Sequence, residues 1–298
     1  MGMMVEGVWR QVPRDSTSTG GAFIRPESAF RDWVSDAEAG RYQLYVARSC
    51  PWAHRTLVVR ALKGLEKAIP VFYAGPSMGE NGWEYAAGEF RFLHQLYARA
   101  KPDYTGRVTV PVLWDGRTQR IVNNESSEIL RMLNREFDSF ARRRLDDLYP
   151  AALRKEIDGI NERVYRGVNN GVYRAGFATA QDKYDAAVTE LFATLDWLEK
   201  RLATRRWLCG TRLTEADVRL FTTLVRFDAV YYSHFKCNLR RLVDYPRLWR
   251  YTRRFYALPG VARTVDLAEI KSHYYGSMKH INPTQIVPRG PALDFSLR

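Results

Sequence analysis

Two patterns of apolar residues divide the chain. Up to about residue 140, short β-rich runs alternate with helical spacing. Tyr42 to Ala47 predicts a strand and Ala53 to Lys63 a helix. Ile69 to Tyr73 predicts a second strand, followed by a long loop marked by Gly75, Pro76, Gly79 and Gly82. Val108 to Trp114 predicts a third strand, interrupted by Pro111. Asp115-Gly116 is a hairpin signal, and Arg120 to Val122 is the returning strand. Glu125 to Asn134 is helical, with Ile129, Leu130 and Leu133 on one face. The order is β-α-β, a long connection, then β-β-α.

After about residue 145 the pattern is helical. Tyr184, Val188, Leu191, Leu195, Leu198 and Leu202 keep a three-and-four spacing over five turns. Leu213-Thr214-Glu215-Ala216-Asp217 predicts a helix start in which Thr214 caps and Asp217 answers three residues later. Val218, Phe221, Leu224, Val225 and Asp228 continue that helix, and Pro246 and Pro259 punctuate the next ones. Beyond Tyr275, Asn282-Pro283, Val287-Pro288 and Gly290-Pro291 predict an extended segment over the surface. The first 40 residues, with Gly20-Gly21 and Pro26, read the same way. The expected divisions are an extension over 1–40, an α/β domain over 41–140, an all-helical domain over 145–275 and a tail over 276–298.

A length of 298 residues suits two domains of roughly 100–200 residues each. The content of 46% hydrophobic and 27% charged residues excludes a disordered or low-complexity chain. No run approaches the roughly 18 apolar residues of a membrane span, and Met1 to Arg14 lacks the apolar core of a secretory signal. Three widely spaced cysteines, Cys50, Cys209 and Cys237, make neither a disulfide framework nor a zinc site, so free thiols in a reducing, cytoplasmic setting and no metal are expected. The net charge of +13 raises the question of nucleic acid. The basic residues are dispersed, however, and the densest run, Arg142 to Arg144, is followed by Asp146 and Asp147. With no zinc finger, aromatic RNA-binding strand or basic arm, most of the excess reads as solvated surface. Neither a nucleic-acid nor a membrane partner is expected.

Cys50 is the most informative position. It closes a strand, precedes Pro51 and opens a helix, which places it at the N-cap, because proline is favoured at the first helical position. Its sulfur then faces unpaired N–H groups and the positive end of the helix dipole, conditions that lower a thiol pKa. The rival reading is a buried structural cysteine. Residue 53 is Ala, so no two-cysteine disulfide can form within the motif, and a reactive Cys50 must exchange with a thiol from outside. Pro111 at a strand start is either an edge-strand proline or a cis proline that presents Val110 to a ligand. Glu125-Ser126 opens a helix and can either cap it or bind a ligand's polar groups. His54, one turn into the helix, reads as a structural, hydrogen-bonded histidine. Cys209 and Cys237, in helical context, read as packing residues.

Together, Cys50-Pro51, Val110-Pro111 and Glu125-Ser126 resemble the glutathione-binding, thioredoxin-like domain of a glutathione transferase, followed by its all-helical domain, in which a segment like 213–217 is a capping motif. The run Ser49-Cys50-Pro51-Trp52-Ala53-His54-Arg55-Thr56 is similar to the Xi class, the glutathionyl-hydroquinone reductases. So are Gly82-Trp83, Gly106 to Pro111, Asn124-Glu125-Ser126, Asn169 to Tyr173, Phe235-Lys236-Cys237, His273-Tyr274 and Asn282-Pro283-Thr284.

The resemblance implies glutathione as co-substrate and a two-step reduction of S-glutathionyl-hydroquinones through a mixed disulfide on Cys50. It implies that Trp83, Arg107, Val108, Thr109, Val110, Glu125 and Ser126 hold glutathione. Tyr173 is implied as the acid–base residue near the departing quinol. Tyr231 and Tyr274 are implied to line the pocket and keep the Cys50 pKa low by donating to the thiolate, and the chain is implied to be a homodimer. The alternatives are an omega-like thiol transferase or a conjugating glutathione transferase, a non-catalytic scaffold, for which the site looks too intact, and a nucleic-acid binder.

Overall fold

The computed structural model describes residues 2–12 and 18–297. The N-terminal extension is more ordered than its composition suggests. β1 (Gly2–Val5) and β2 (Val8–Gln11) pair as a hairpin, turning at Glu6-Gly7 with positive φ at both positions. β3 (Ser18–Thr19) pairs with β4 (Ala22–Phe23). Met4 is buried and exchanges backbone bonds with Gly106 at 2.9 and 3.0 Å, which staples this extension to the α/β domain. The expectation of a wholly extended segment is thereby corrected.

The α/β part runs β5 (Tyr42–Val46), α1 (Pro51–Lys63), β6 (Val71–Tyr73), α2 (Leu93–Ala100), β7 (Val112–Asp115), β8 (Arg120–Asn123) and α3 (Ser126–Arg135). Its sheet has the order β6-β5-β7-β8, with β6 parallel to β5 and the other pairs antiparallel. Leu44, at the centre of β5, pairs with both Val71 and Leu113, and β5 and β7 are buried almost throughout. Pro51 starts α1. Gly64 stops it in the left-handed region (φ 67°), where its N–H returns to Arg60 and Ala61 carbonyls.

Two details differ from the sequence pattern. The long connection before β7 contains α2, whose Leu93, Leu96 and Tyr97 are fully buried but span too few residues to show a period. The third strand starts only at Val112, because residues 108–110 run outside the ladder up to the cis Val110-Pro111 bond.

The helical part comprises α4 (Arg154–Val164), α5 (Gly171–Gly176), α6 (Gln181–Arg201), α7 (Glu215–Leu224), α8 (Pro246–Tyr256) and α9 (Leu267–Ser277). Thr214 and Asp217 form the expected box at the start of α7. The buried Asp217 carboxylate accepts from Thr214 N (2.9 Å) and Oγ1 (3.0 Å), Leu208 N (2.8 Å) and Tyr251 Oη (3.0 Å). α7 does not reach Asp228. It ends at Leu224, and a wide π-helical turn follows over Phe227–Tyr231, closed by Tyr232 N to Phe227 O at 2.9 Å. Asp228 is drawn away to accept from Leu242 N (2.5 Å) and Val243 N (3.2 Å). A second such turn, Tyr165–Asn169, joins α4 to α5.

Cys209 and Cys237 are buried packing residues as expected. Both lie outside helices, Cys209 in the turn over 207–210 and Cys237 after the wide turn Phe227–Tyr231. The tail beyond Ser277 is non-helical, with Phe295 packed on Trp249 and Tyr256. Among the described residues no helix is long and apolar enough to cross a membrane.

Candidate active site

β5 and α1 deliver Cys50 to the N-cap of α1, with extended backbone (φ −76°, ψ 118°). It is half-buried, whereas the other two cysteines are buried. Its thiol donates to the Val110 carbonyl at 3.6 Å, so the residue before the cis proline faces the sulfur. Burial pushes the Cys50 thiol up, against the opposing pull of the Ala53 and Trp52 amides and the Arg226 and Arg25 charges. The expectation of a depressed thiol pKa is corrected: the helix N-terminus is present, but desolvation outweighs it.

The 108–110 segment is held by α2. Tyr97 Oη donates to Thr109 O at 2.9 Å and accepts from Thr109 N at 3.3 Å and Asn124 Nδ2 at 3.0 Å. Val108 is half-buried, Thr109 exposed and Val110 buried. Glu125 caps α3: its carboxylate accepts from Ser127 N (2.9 Å), Ser127 Oγ (2.9 Å), Ser28 Oγ (3.1 Å) and Ser126 Oγ (3.5 Å). Burial raises the Glu125 pKa, but these bonds and Arg55 leave it net lowered, so the carboxylate is an anion at neutral pH. Ser126 is buried and also receives Arg55 Nη1 at 3.4 Å.

Trp83 is buried in the loop before α2 and stacks on His273 of α9, with ring centroids 4.9 Å apart. His273 Nδ1 donates to Pro76 O at 3.1 Å, and burial holds its pKa down at about 4, so the ring is neutral. Arg107 is half-buried, and its Nη1 donates to Gly2 O of β1 at 3.3 Å.

The helical side contributes the three expected tyrosines. Tyr173 of α5 shares a 2.6 Å hydrogen bond with Tyr274 of α9, and Tyr274 a 3.2 Å bond with Tyr231 from the wide turn. All three are buried, which raises their pKa values and keeps them protonated. The implied bond from Tyr231 and Tyr274 to the Cys50 sulfur is corrected. Among the described residues no tyrosine hydroxyl bonds to Sγ: the sulfur bonds to Val110 O, and Tyr231 and Tyr274 bond within the tyrosine cluster.

Three basic residues escaped the sequence reading. Arg25 of the extension lies with its guanidinium carbon 4.5 Å from the Trp52 ring centre and 4.9 Å from that of Tyr173, held by Asn170 Oδ1 at 3.0 Å. Arg55 of α1 is buried, donates to Asn169 Oδ1 at 2.8 Å and is depressed to about 9, by burial first and then by Arg219. Arg226 is fully buried beside His54. A lone cation in the apolar run Leu224-Val225-Arg226-Phe227 was the one available signal. His54 is structural, as expected, bonded to Thr264 Oγ1 at 2.7 Å and to Arg226 at 2.9 Å. Among the described residues, no three His, Cys, Asp or Glu side chains converge as a metal site.

A cysteine at a helix start facing the residue before a cis proline, beside a helical bundle that supplies tyrosines, defines a glutathione transferase of the cysteine type. Two family models match, "Glutathione S-transferase, N-terminal domain" over residues 49–136 and "Glutathione S-transferase, C-terminal domain" over 181–254. The chain is 53% identical to glutathionyl-hydroquinone reductase PcpF of Sphingobium chlorophenolicum, over 98% of this chain and 97% of that protein. It superposes on a Xi-class transferase from Natrialba magadii with a TM-score of 0.93 at 48% identity, covering 100% and 96% of the two chains. Glutathione-bound YqjG of Escherichia coli K-12 follows at a TM-score of 0.89 and 46% identity, covering 99% and 97%. The chain belongs to the glutathionyl-hydroquinone reductases, the Xi class of glutathione transferases.

Proposed function

We propose that this chain reduces S-glutathionyl-hydroquinones to hydroquinones at Cys50, with glutathione as co-substrate. The observation that carries the reading is the position of Cys50, the one half-buried cysteine of three, between the Val110 carbonyl and basic and aromatic side chains from the extension and the helical domain.

Glutathione lies along the 108–110 segment. Glu125 and Ser126, with Arg107, take its polar ends, and Trp83 packs against it. The Cys50 thiolate attacks the glutathionyl sulfur of the conjugate. The new S–S bond forms as the sulfur–ring bond breaks, and that electron pair goes to the ring carbon. Tyr173, kept protonated by burial, supplies the proton there, and the hydroquinone leaves. The thiolate of a second glutathione then attacks the glutathionyl sulfur of the mixed disulfide. Oxidised glutathione leaves and Cys50 returns as thiolate; the second glutathione gives its proton to solvent, and Tyr173 regains one from solvent. One conjugate and one glutathione thus yield one hydroquinone and one oxidised glutathione.

The test is a single turnover with S-glutathionyl-menadiol, followed by intact mass. Wild type gains one glutathione as menadiol appears, and Cys50→Ala does neither. An untouched conjugate, together with conjugation of chlorodinitrobenzene, overturns the reductase reading.

A further inference from the structure

Arg226 sits just beyond α7, fully buried, and each of its hydrogen-bond partners among the described residues is neutral. Nε donates to Ser49 O at 3.1 Å and Nη2 to Arg48 O at 2.7 Å, the two carbonyls immediately before Cys50. Nη1 donates to Thr222 O of α7 at 2.6 Å and to His54 Nδ1 at 2.9 Å. A guanidinium has no acceptor, so His54 Nδ1 must be unprotonated. The ring proton is then on Nε2, which donates to Thr264 Oγ1 at 2.7 Å, and that hydroxyl donates to Val261 O at 2.6 Å. Burial and Arg226 together hold His54 neutral. The chain of bonds thus fixes the loop and helix that carry Cys50 against the helical domain without quenching the Arg226 charge.

A buried cation with no counter-ion is strongly disfavoured, so the site gains wherever an anion forms near it. The groups around it offer few. Arg48, on the same loop, pairs with Glu269 of α9 at 3.2 Å. From α9 come neutral His273 and protonated Tyr274, and from the wide turn protonated Tyr231. Cys50 itself is faced by Arg226, by Arg25 from the extension, by Tyr85 from the loop before α2 and by Tyr173 from α5. Of the groups that face Arg226, the one that the reaction uses as an anion is Cys50, as its thiolate.

We propose that Arg226 is a positioning residue that orients the Cys50 loop through the Arg48 and Ser49 carbonyls and supplies the buried counter-charge of the Cys50 thiolate from the helical domain. The inference builds on the reading of Cys50 as the nucleophile, but its test needs no substrate, so each can fail without the other. Thiolate absorbance at 240 nm and the rate of Cys50 alkylation by iodoacetamide, mapped to the Cys50 peptide, are followed against pH in full-length wild type, Arg226→Met and Arg226→Lys.

The methionine variant raises the titration midpoint by about one pH unit and slows alkylation about tenfold at pH 7.5. The lysine variant, which keeps the charge but loses the guanidinium fork, moves by no more than about half as much while its thermal midpoint falls. A folded methionine variant with the wild-type midpoint overturns the assignment. If the methionine variant does not fold, the lysine variant decides: a midpoint near wild type supports the counter-charge, and a midpoint as high as that expected of methionine overturns it.

Discussion

The guanidinium of Arg25 lies over the indole of Trp52, its central carbon 4.5 Å from the ring centre. This contact brings a residue of the N-terminal extension to a helix that starts at the nucleophile. Stacked on Tyr173 as well, and bonded among the described residues to an amide oxygen, the guanidinium keeps its charge available beside the pocket. Cation–π contacts of this kind contribute about 0.5–2 kcal/mol. Arg25→Ala is expected to raise KM for the glutathionyl-hydroquinone roughly 2- to 30-fold while KM for glutathione in the second step stays put. Steady-state kinetics with each substrate varied in turn checks it, and equal rises in both KM values count against a role on the quinol side.

Burial pushes the Cys50 thiol up, which favours the neutral thiol over the thiolate. Its alkylation by iodoacetamide should still be climbing above pH ~8.5, the ordinary thiol value, with no plateau between about 6 and 8. A plateau in that window contradicts the balance of burial against amides and cations around the sulfur. It would restore the depressed pKa expected from the helix start alone.

Tyr173 is held protonated by burial and bonded to Tyr274 at 2.6 Å. Tyr173→Phe is expected to slow hydroquinone release by a factor of about 10²–10⁴, the usual contribution of a general acid. Release of oxidised glutathione from the mixed disulfide, measured separately by stopped flow, should change little. A similar loss in both half-reactions assigns Tyr173 to pocket shape instead of proton transfer.

Asp217 joins four hydrogen bonds in the first turn of α7, and burial lifts its pKa to about 6. Asp217→Ala should cost ~3–5 kcal/mol in urea unfolding, as removal of a buried polar hub does. The folded pKa lies above the ordinary carboxylate value. The carboxyl therefore contributes fully at low pH, and its contribution falls as pH rises from the ordinary carboxylate range through about 6. The stability gap between wild type and Asp217→Ala should accordingly be wider at pH 4.5 than at pH 7.5. A gap that widens with pH instead contradicts the raised pKa.

The features legible in the sequence were those of local chemistry. Cys50-Pro51 specifies a helix start within two residues, and Thr214 with Asp217 specifies another within four. The β5–β8 order along the chain shows in the alternation of runs and the Asp115-Gly116 turn. The unread parts depend on distant partners. Arg226 reaches carbonyls 177 and 178 positions away, and the bond from Arg25 to Asn170 spans 145. Nothing in the spacing around either residue marks such a contact. The direction of the Cys50 pKa was hidden for a related reason: a helix start is visible in sequence, but the desolvation opposing it comes from elements folded over it. α2 was missed because eight residues with three buried positions do not make a period.

The two wide turns, Tyr165–Asn169 and Phe227–Tyr231, each carry about one residue more per turn than an ordinary helix. Each sets the helical phase of the residues after its start, the first for Tyr173 and the second for Tyr231. Each residue advances a regular helix by about 100°, so loss of one residue from either turn swings its tyrosine about a quarter turn away from Tyr274. Deletion would make the backbone more regular while dismantling the cluster. The pocket is thus sensitive to the length of these segments as well as to the residues in them, and a relative lacking one of these residues could keep the fold and every side chain named here while losing the tyrosine arrangement.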